Sequence, residues 1–345
     1  MSIPKEVTIY DIARKLDISG ATVSRGLNNH PAISEKTKKK IQDTAKKMGY
    51  RSNNFASNLR RQKTNTIGII IHELNSQFIT SVLAGIEKVT AGSGFDLIIG
   101  HSSESAEKEI ANANNLFHKR VDGLIASLAY DTKNISHFDP FTKKGIPVVF
   151  FDRVEANSYG TKVVINNLKA GFDATQHLIQ QGCKNIAHIT GNTTRNVYAD
   201  RLKGYKQALA QNKLPAKKEN IIINDLGEEA SVLAAKKIAS IRPMPDGVFI
   251  TNDFCAAVCI KTWKEMGLNI PADIAVVGFN NDAISKIVEP SLTTINYPGI
   301  EIGEVAAKCL LEQMKEGVSA KNNETIYIHS ELLVRESSMR RPDAL

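Results

Sequence analysis

Two hydrophobic periods divide this chain. Ahead of residue 50, apolar side chains recur at helical spacing; beyond residue 66 they come in short continuous runs separated by helical stretches. Ile9, Ile12, Ala13 and Leu16 form one apolar stripe of a first helix. Thr8 is placed to cap it, and Asp11, three residues on, is placed to reach back to the cap amide. Asp17-Ile18-Ser19 reads as a turn, and Ser19 as the cap of a second helix running from Gly20 to Asn28. Ala13, Ile18, Val23 and Leu27 supply a small core, which leaves Thr22, Ser24 and Arg25 facing outward. A third helix is expected from Glu35 to Met48 after the cap Ser34, with Ile41, Ala45 and Met48 inward and Gly49 ending it.

The later runs predict buried strands at Ile67–Ile71, Phe95–Ile99, Gly123–Ala126 and Pro147–Phe151, with helices at Phe78–Ala91 and Ala106–Lys119 between them. A second series is expected at Ile186–Thr190, Ile221–Ile223, Gly247–Ile250, Ile274–Val277 and Leu292–Ile295. Two successive strand–helix series mean two doubly wound parallel sheets. The expected fold is therefore α/β: a helix-turn-helix head of three helices (residues 1–52), a connecting segment (53–65), and a two-lobed body (66–340).

Charge separates head from body. The first 65 residues carry fourteen Lys and Arg against five Asp and Glu, a net +9; the whole chain is +8, so the remainder is −1. A basic module on a nearly neutral body points to a polyanion partner for the module alone. The outward face of the second helix suits the DNA major groove, because short Thr22 and Ser24 permit close approach and Arg25 can pair bidentately with guanine. Lys38 is a candidate phosphate contact.

Thr8-x-Tyr10-Asp-Ile-Ala13, Ser19-x-Ala21-Thr-Val-Ser-Arg25, Leu27-Asn28, and Met48-Gly-Tyr50-Arg-x-Asn53 with Ala56 and Leu59 closely resemble the LacI/GalR repressor family, collinearly and on through the body to about residue 338. The resemblance implies a homodimeric transcription regulator that binds a pseudo-palindromic operator. It also implies a hinge helix at Asn53–Arg61 that folds on DNA, capped by Asn53, with Ala56 at the approach of two hinges and Leu59 as a minor-groove wedge. Ser52 departs from the proline usual in the family. The DNA-binding candidates are Thr8, Tyr10, Ser19, Gly20, Ala21, Thr22, Ser24, Arg25, Asn28, Tyr50, Asn53, Ala56 and Leu59. For the body the resemblance implies two lobes like a periplasmic sugar-binding protein, with the chain switching lobes near residues 162, 285 and 325.

Ligands of doubly wound sheets bind at the carboxyl ends of the strands. The residues there include Asn75, Ser76, Gln77, Phe78, Ser127, Asp152, Arg153, Arg201, Asn252 and Asn280. Carboxylate, amide and guanidinium groups around an aromatic suit a small polar, polyhydroxylated molecule. The family's effector contacts match Asp152, Arg201, Asn252 and Asn280, with Phe78 and Ser127 nearby; Asn75 joins the effector candidates from its strand-end position. Asn280 replaces the Asp usual in sugar-responsive members, which admits a different hydroxyl pattern or an acidic or purine-like effector. Arg153 reads equally as a ligand contact or an interlobe ion pair. Asp152 and Arg201 can also pair with each other, Asn252-Asp253 reads alternatively as the cap of the following helix, with Asp253 in that role rather than on the ligand, and Trp263 reads as a core residue.

Enzyme signatures are missing: no G-x-G-x-x-G follows the first strand, and no phosphate-binding P-loop, G-x-S-x-G elbow or His/Glu metal helix occurs. The four cysteines, Cys183, Cys255, Cys259 and Cys309, are scattered, and the histidines show no metal-ligand spacing. The expectation is a non-enzymatic protein without metal or cofactor. Met1-Ser-Ile-Pro-Lys5 leads into the capped helix rather than an apolar run, and the cysteine usage fits a reducing compartment, so a cytoplasmic, membrane-free protein is expected.

Overall fold

The computed structural model describes residues 7–50, 64–156, 158–316 and 324–340. The chain divides into two compact units, 1–62 and 63–345.

In the first unit three helices, α1 (Ile9–Leu16), α2 (Gly20–Leu27) and α3 (Glu35–Lys47), enclose a miniature core. Each starts where a short polar side chain takes over an orphan amide. Thr8 and Asp11 complete a reciprocal capping box, Ser19 accepts from Thr22 N (3.1 Å) and Ser34 from Thr37 N (3.3 Å). Asp17 ends α1 in the left-handed region (φ 55°), which turns the chain directly into the Ser19 cap. Ile12, Val23 and Ile41 are fully buried, each stabilising the head by roughly 1.5–3 kcal/mol. Ile18, Leu27, Met48 and Tyr50 pack around them.

The second unit holds two six-stranded sheets. In chain order its first lobe runs β1 (Thr66–Ile71), α4 (Gln77–Thr90), β2 (Asp96–His101), α5 (Ala106–His118), β3 (Gly123–Ala126), β4 (Val148–Phe151) and β5 (Thr161–Ile165). The second follows with α6 (Asn167–Gln180), β6 (Ile186–Thr190), α7 (Asn196–Gln211), β7 (Ile221–Ile223), α8 (Glu228–Ser240), β8 (Gly247–Ile250), α9 (Asp253–Glu265), β9 (Ala275–Asn280) and β10 (Thr293–Asn296). Helix α10 (Gly299–Glu316) returns to pack on α4, β11 (Thr325–Ile328) joins the first sheet, and β12 (Leu332–Leu333) the second. The sheet orders are β11-β5-β4-β3-β1-β2 and β12-β10-β9-β8-β6-β7, parallel throughout except for β12 against β10.

Three expectations change. The second lobe switch falls after Asn296, not near 285, because β10 is still paired with β9 at Asn296. The neighbouring switches fall between β5 and α6 and between β11 and β12. Thr161–Ile165 is an interior strand although Lys162 interrupts its apolar run; the ammonium is buried and donates to Ser158 O (2.8 Å). Strand β2, read as buried, is a sheet edge with Ile99 48 % exposed.

Glycines let helices touch. A Cβ at Gly85 would lie 2.1 Å from Ile300 O, and one at Gly303 2.1 Å from Val82 O, so α4 and α10 meet backbone to backbone. Gly171 and Gly204 do the same for α6 and α7. This contact seats α7 against α6 at Arg201 and Gly204.

Candidate functional site

The outward face of α2 presents Ala21, Arg25 and Asn28 to solvent, with Thr22 and Ser24 half-buried. The Ser19 and Thr22 hydroxyls bond each other (2.8 Å), and the Asn28 amide donates to Ser24 O (2.8 Å). Tyr10 is 68 % exposed, and its ring lies against Gly20. Thr8 is exposed and caps α1. Tyr50 is half-buried against the head core. Lys38 differs from its reading as a phosphate contact: it is buried, and its ammonium is held by Glu35 at 2.7 Å. Asn53, Ala56 and Leu59 lie outside the described residues.

In the body a cleft of about 1030 Å³ opens between the carboxyl ends of the two sheets. Its amides are Asn75 and Gln77 from the first lobe and Asn192, Asn224 and Asn252 from the second; Tyr130, Tyr198 and Phe254 give aromatic surface. Its carboxylates are Glu73, Glu104, Asp225 and Asp282, and its guanidinium is Arg153. Arg153 is held bidentately by Glu104 (2.7 and 2.6 Å), so the ion-pair alternative is realised, although within one lobe. Burial, then repulsion from Glu104, raises the Glu73 carboxyl above its ordinary range.

The predicted effector residues do not share one surface. Asn75 and Asn252 line the large cleft. Phe78 and Asn280 line a neighbouring cavity of about 400 Å³ with Asn296, Tyr297 and Pro298. Ser127, Asp152 and Arg201 are buried at 0, 4 and 2 % exposure and bond internally. Ser127 Oγ pairs with His72 Nδ1 (2.9 Å), and Arg201 donates to Asn167 Oδ1 (2.9 Å) and Thr251 O (3.2 Å). The Arg201 guanidinium lies 3.4 Å from the centroid of the Phe279 ring and 5.5 Å from that of Tyr198, a cation–π stack. Asp152 accepts from the Tyr297 hydroxyl at 2.6 Å, so its partner is Tyr297 rather than Arg201. Burial pushes the Asp152 carboxyl up and the His72 imidazole down.

Backbone strain collects at the strand ends. Asp152 (φ 57°), Asn280 (φ 119°) and Asn281 (φ 59°) occupy the left-handed half of the map, at an energetic cost of about 1–3 kcal/mol each. Asn252, not Asp253, caps α9, accepting from Cys255 N (3.0 Å). Asp253 instead accepts from Thr294 Oγ1 (2.7 Å) and Asp282 N (2.8 Å), cross-linking β10 to the loop after β9. Trp263 is a core residue, its indole donating to Ala235 O (2.9 Å).

The direct interlobe contacts fall on groups other than the Arg153 ion pair and the Asp152–Arg201 pair that the sequence offered. Asn196 accepts from Val154 N and donates to Asp152 O, both at 3.0 Å. Arg195 donates to Thr132 O and pairs with Glu155, and Gln77 accepts from Ala283 N (2.9 Å). Tyr297 lies just past the strand predicted at Leu292–Ile295, and that strand-end position is the sequence signal that marks it. No local signal marks Arg195 or Asn196. Among the described residues one histidine-bearing group, His72, Glu73 and Glu104, brings its ligand atoms within 4.8 Å of one another; Glu104 is already engaged by Arg153.

A helix-turn-helix head with a basic outer face, joined to a two-lobed body with a polar cleft, defines a DNA-binding regulator of transcription with a periplasmic-binding-protein-like body. Residues 8–53 match the model of the bacterial regulatory proteins of the lacI family, and residues 175–338 that of the periplasmic binding protein-like domain. Catabolite control protein A of Priestia megaterium is 34 % identical over 90 % of this chain and 93 % of its own length. The transcriptional repressor PurR of Vibrio vulnificus (strain CMCP6) is 30 % identical over 96 % and 98 %. The lac repressor dimer bound to operator and an anti-inducer shares the fold with a TM-score of 0.87 at 23 % identity, covering 97 % of this chain and 100 % of that one. The chain belongs to the LacI family of bacterial transcription regulators. Among the described residues no helix is long and apolar enough to cross a membrane.

Proposed function

We propose that the protein is a cytoplasmic, non-enzymatic repressor. It acts as a homodimer on a pseudo-palindromic operator, and its operator affinity is set by a neutral, polyhydroxylated effector held between the lobes. The observation that carries this reading is the cleft, where amides from both lobes face one space of about 1030 Å³. A molecule touching both lobes stabilises one lobe arrangement over another, which is the requirement for a ligand to shift an equilibrium. The cleft's four carboxylates face one guanidinium that Glu104 already neutralises. That balance disfavours sugar phosphates and sugar acids, and amides with aromatic faces favour hydroxyl-rich rings. A solved regulator of the same fold is a complex with cellobiose and another holds ribose, which supports a sugar here.

Helix α2 reads the half-site through Arg25, Thr22 and Ser24. The segment 53–65 links the head to the first lobe, so lobe movement changes the spacing of the two heads in a dimer. The apolar edge exposed at Ile99 and Ile110 suits coverage by a second copy. A thermal-shift screen of neutral sugars, sugar phosphates, sugar acids and purines tests the effector class. Stabilisation by neutral sugars is expected; stabilisation confined to anionic compounds or purines contradicts it.

A further inference from the structure

The first turn of α7, on the second lobe, grips the first lobe residue by residue. Arg195 stands at the N-cap, a position where Ser, Thr, Asp or Asn ordinarily caps a helix. Its side chain makes no cap; the guanidinium crosses instead to Thr132 O and to Glu155 (3.4 Å). Asn196 follows, donating to Asp152 O and accepting from Val154 N, both at 3.0 Å. The Arg153 guanidinium lies 5.8 Å from the centroid of the Tyr198 ring. Residues 152 to 155 of the first lobe thus each meet one of three side chains of the second.

The backbone bonds show what the grip holds. Asp152 N donates to Val163 O (3.2 Å), Arg153 N to Ser127 Oγ (3.5 Å), and Leu128 N to Arg153 O (3.1 Å), all within the first lobe. Asp152 O and Val154 N pair across the seam with Asn196. Buried backbone groups need partners, so the turn that carries Asp152 at φ 57° is completed by the other lobe. Helix α7 is seated on α6 at Arg201 and Gly204, so its first turn moves with the second lobe. Arg195 carries the opposing cost: its Nε is buried without a hydrogen-bond partner, and separation of the lobes returns it to water. The grip is a balance that can tip either way.

We propose that the first turn of α7 is an interlobe latch and that Asn196 is a positioning residue of the effector site. While the lobes are together, Asn196 completes the turn that sets Asp152 and Arg153; when they part, that turn loses two backbone bonds. Lobe closure and the shape of the first-lobe wall of the cleft are then one event. Arg153 and Tyr198 line the cleft and Asn196 does not, so Asn196 acts on a ligand through the turn it holds. This rests on the reading that a polyhydroxylated effector is held between the lobes.

The test combines hydrogen exchange and isothermal titration on the full chain, comparing wild type with Asn196→Ala and Asn196→Leu. Both variants lose both bonds. Leu keeps the size of the side chain and suits a helix, so it decides if Asn196→Ala fails to give a cooperative melt. Amides 151–155 are expected to exchange at least roughly fivefold faster in the variants, with the amides of β6 unchanged. Ribose, glucose, galactose, maltose, cellobiose and lactose are the titration probes. The sugar that wild type binds most tightly is expected to bind the variants about fivefold more weakly. Unchanged exchange at 151–155 in a folded variant overturns the latch. Faster exchange with unchanged sugar affinity overturns the positioning role. If none of these sugars binds, the neutral-sugar reading is overturned, and the exchange at 151–155 still upholds or overturns the latch.

Discussion

The backbone of Arg201 rests on Gly171: a Cβ at position 171 would lie 2.3 Å from Arg201 O and 2.8 Å from its Cα. The contact lets α6 and α7 approach closely enough for Arg201 to reach both Asn167 and Thr251. On an open helix surface Gly→Ala stabilises by about 0.5–1 kcal/mol. Here it forces backbone against backbone, and such overpacking costs about 1–3 kcal/mol. Gly171→Ala is therefore expected to lower the urea midpoint, and a raised midpoint contradicts the close packing.

Asp253 gives a pH signature. It is fully buried, and burial pushes its carboxyl up to about 7. A carboxyl raised on folding holds its proton more tightly in the native state. Its stabilising contribution is complete below about pH 4 and is lost as the pH climbs toward 7, a swing of roughly 4 kcal/mol. Buried His188, pushed down to about 3, and His72, also lowered by burial, act oppositely, because stability is lost as the pH falls below their unfolded value of about 6.5. Comparison with Asp253→Asn removes the histidine contribution. The stability of the variant relative to wild type is expected to rise by a few kcal/mol between pH 4.5 and 8 in urea unfolding; parallel pH profiles contradict it.

Arg25 is exposed on the outward face of α2 and is proposed to read a base edge. Arg25→Ala is expected to weaken binding to the cognate duplex by about 1–3 kcal/mol, with a smaller loss on a scrambled duplex. Equal losses on the two duplexes assign Arg25 to the phosphate backbone. Lys36 and Lys39, close in sequence to the buried Lys38, are exposed and are proposed as phosphate contacts in its place; their removal is expected to weaken both duplexes alike.

Local pattern was enough for what depends on neighbours in sequence. The caps Thr8, Ser19 and Ser34 and the stripe around Ile12 announced the head, and the apolar runs Ile186–Thr190 and Gly247–Ile250 matched their strands residue for residue. Thr161–Ile165 was legible only as a lobe switch near 162, because Lys162 breaks its apolar run; the buried ammonium is satisfied by Ser158 O, four residues upstream. The interior of the site was the least legible part. Tyr297 and Asp152 are 145 positions apart, and Asn196 meets Asp152 from 44 positions away. Whether a strand-end carboxylate faces a ligand or a tyrosine depends on such long-range partners, so residue type alone placed Asp152 and Arg201 in the open cleft when they lie beneath it.

The central claim is that a sugar in the cleft controls the operator. A duplex selected by the full chain from a random pool supplies the operator, and fluorescence anisotropy with and without the most stabilising sugar measures the coupling. A coupling of about 1–3 kcal/mol is expected, which changes operator affinity roughly 5–150-fold. An operator affinity that stays the same at saturating sugar, with the sugar demonstrably bound, contradicts the account.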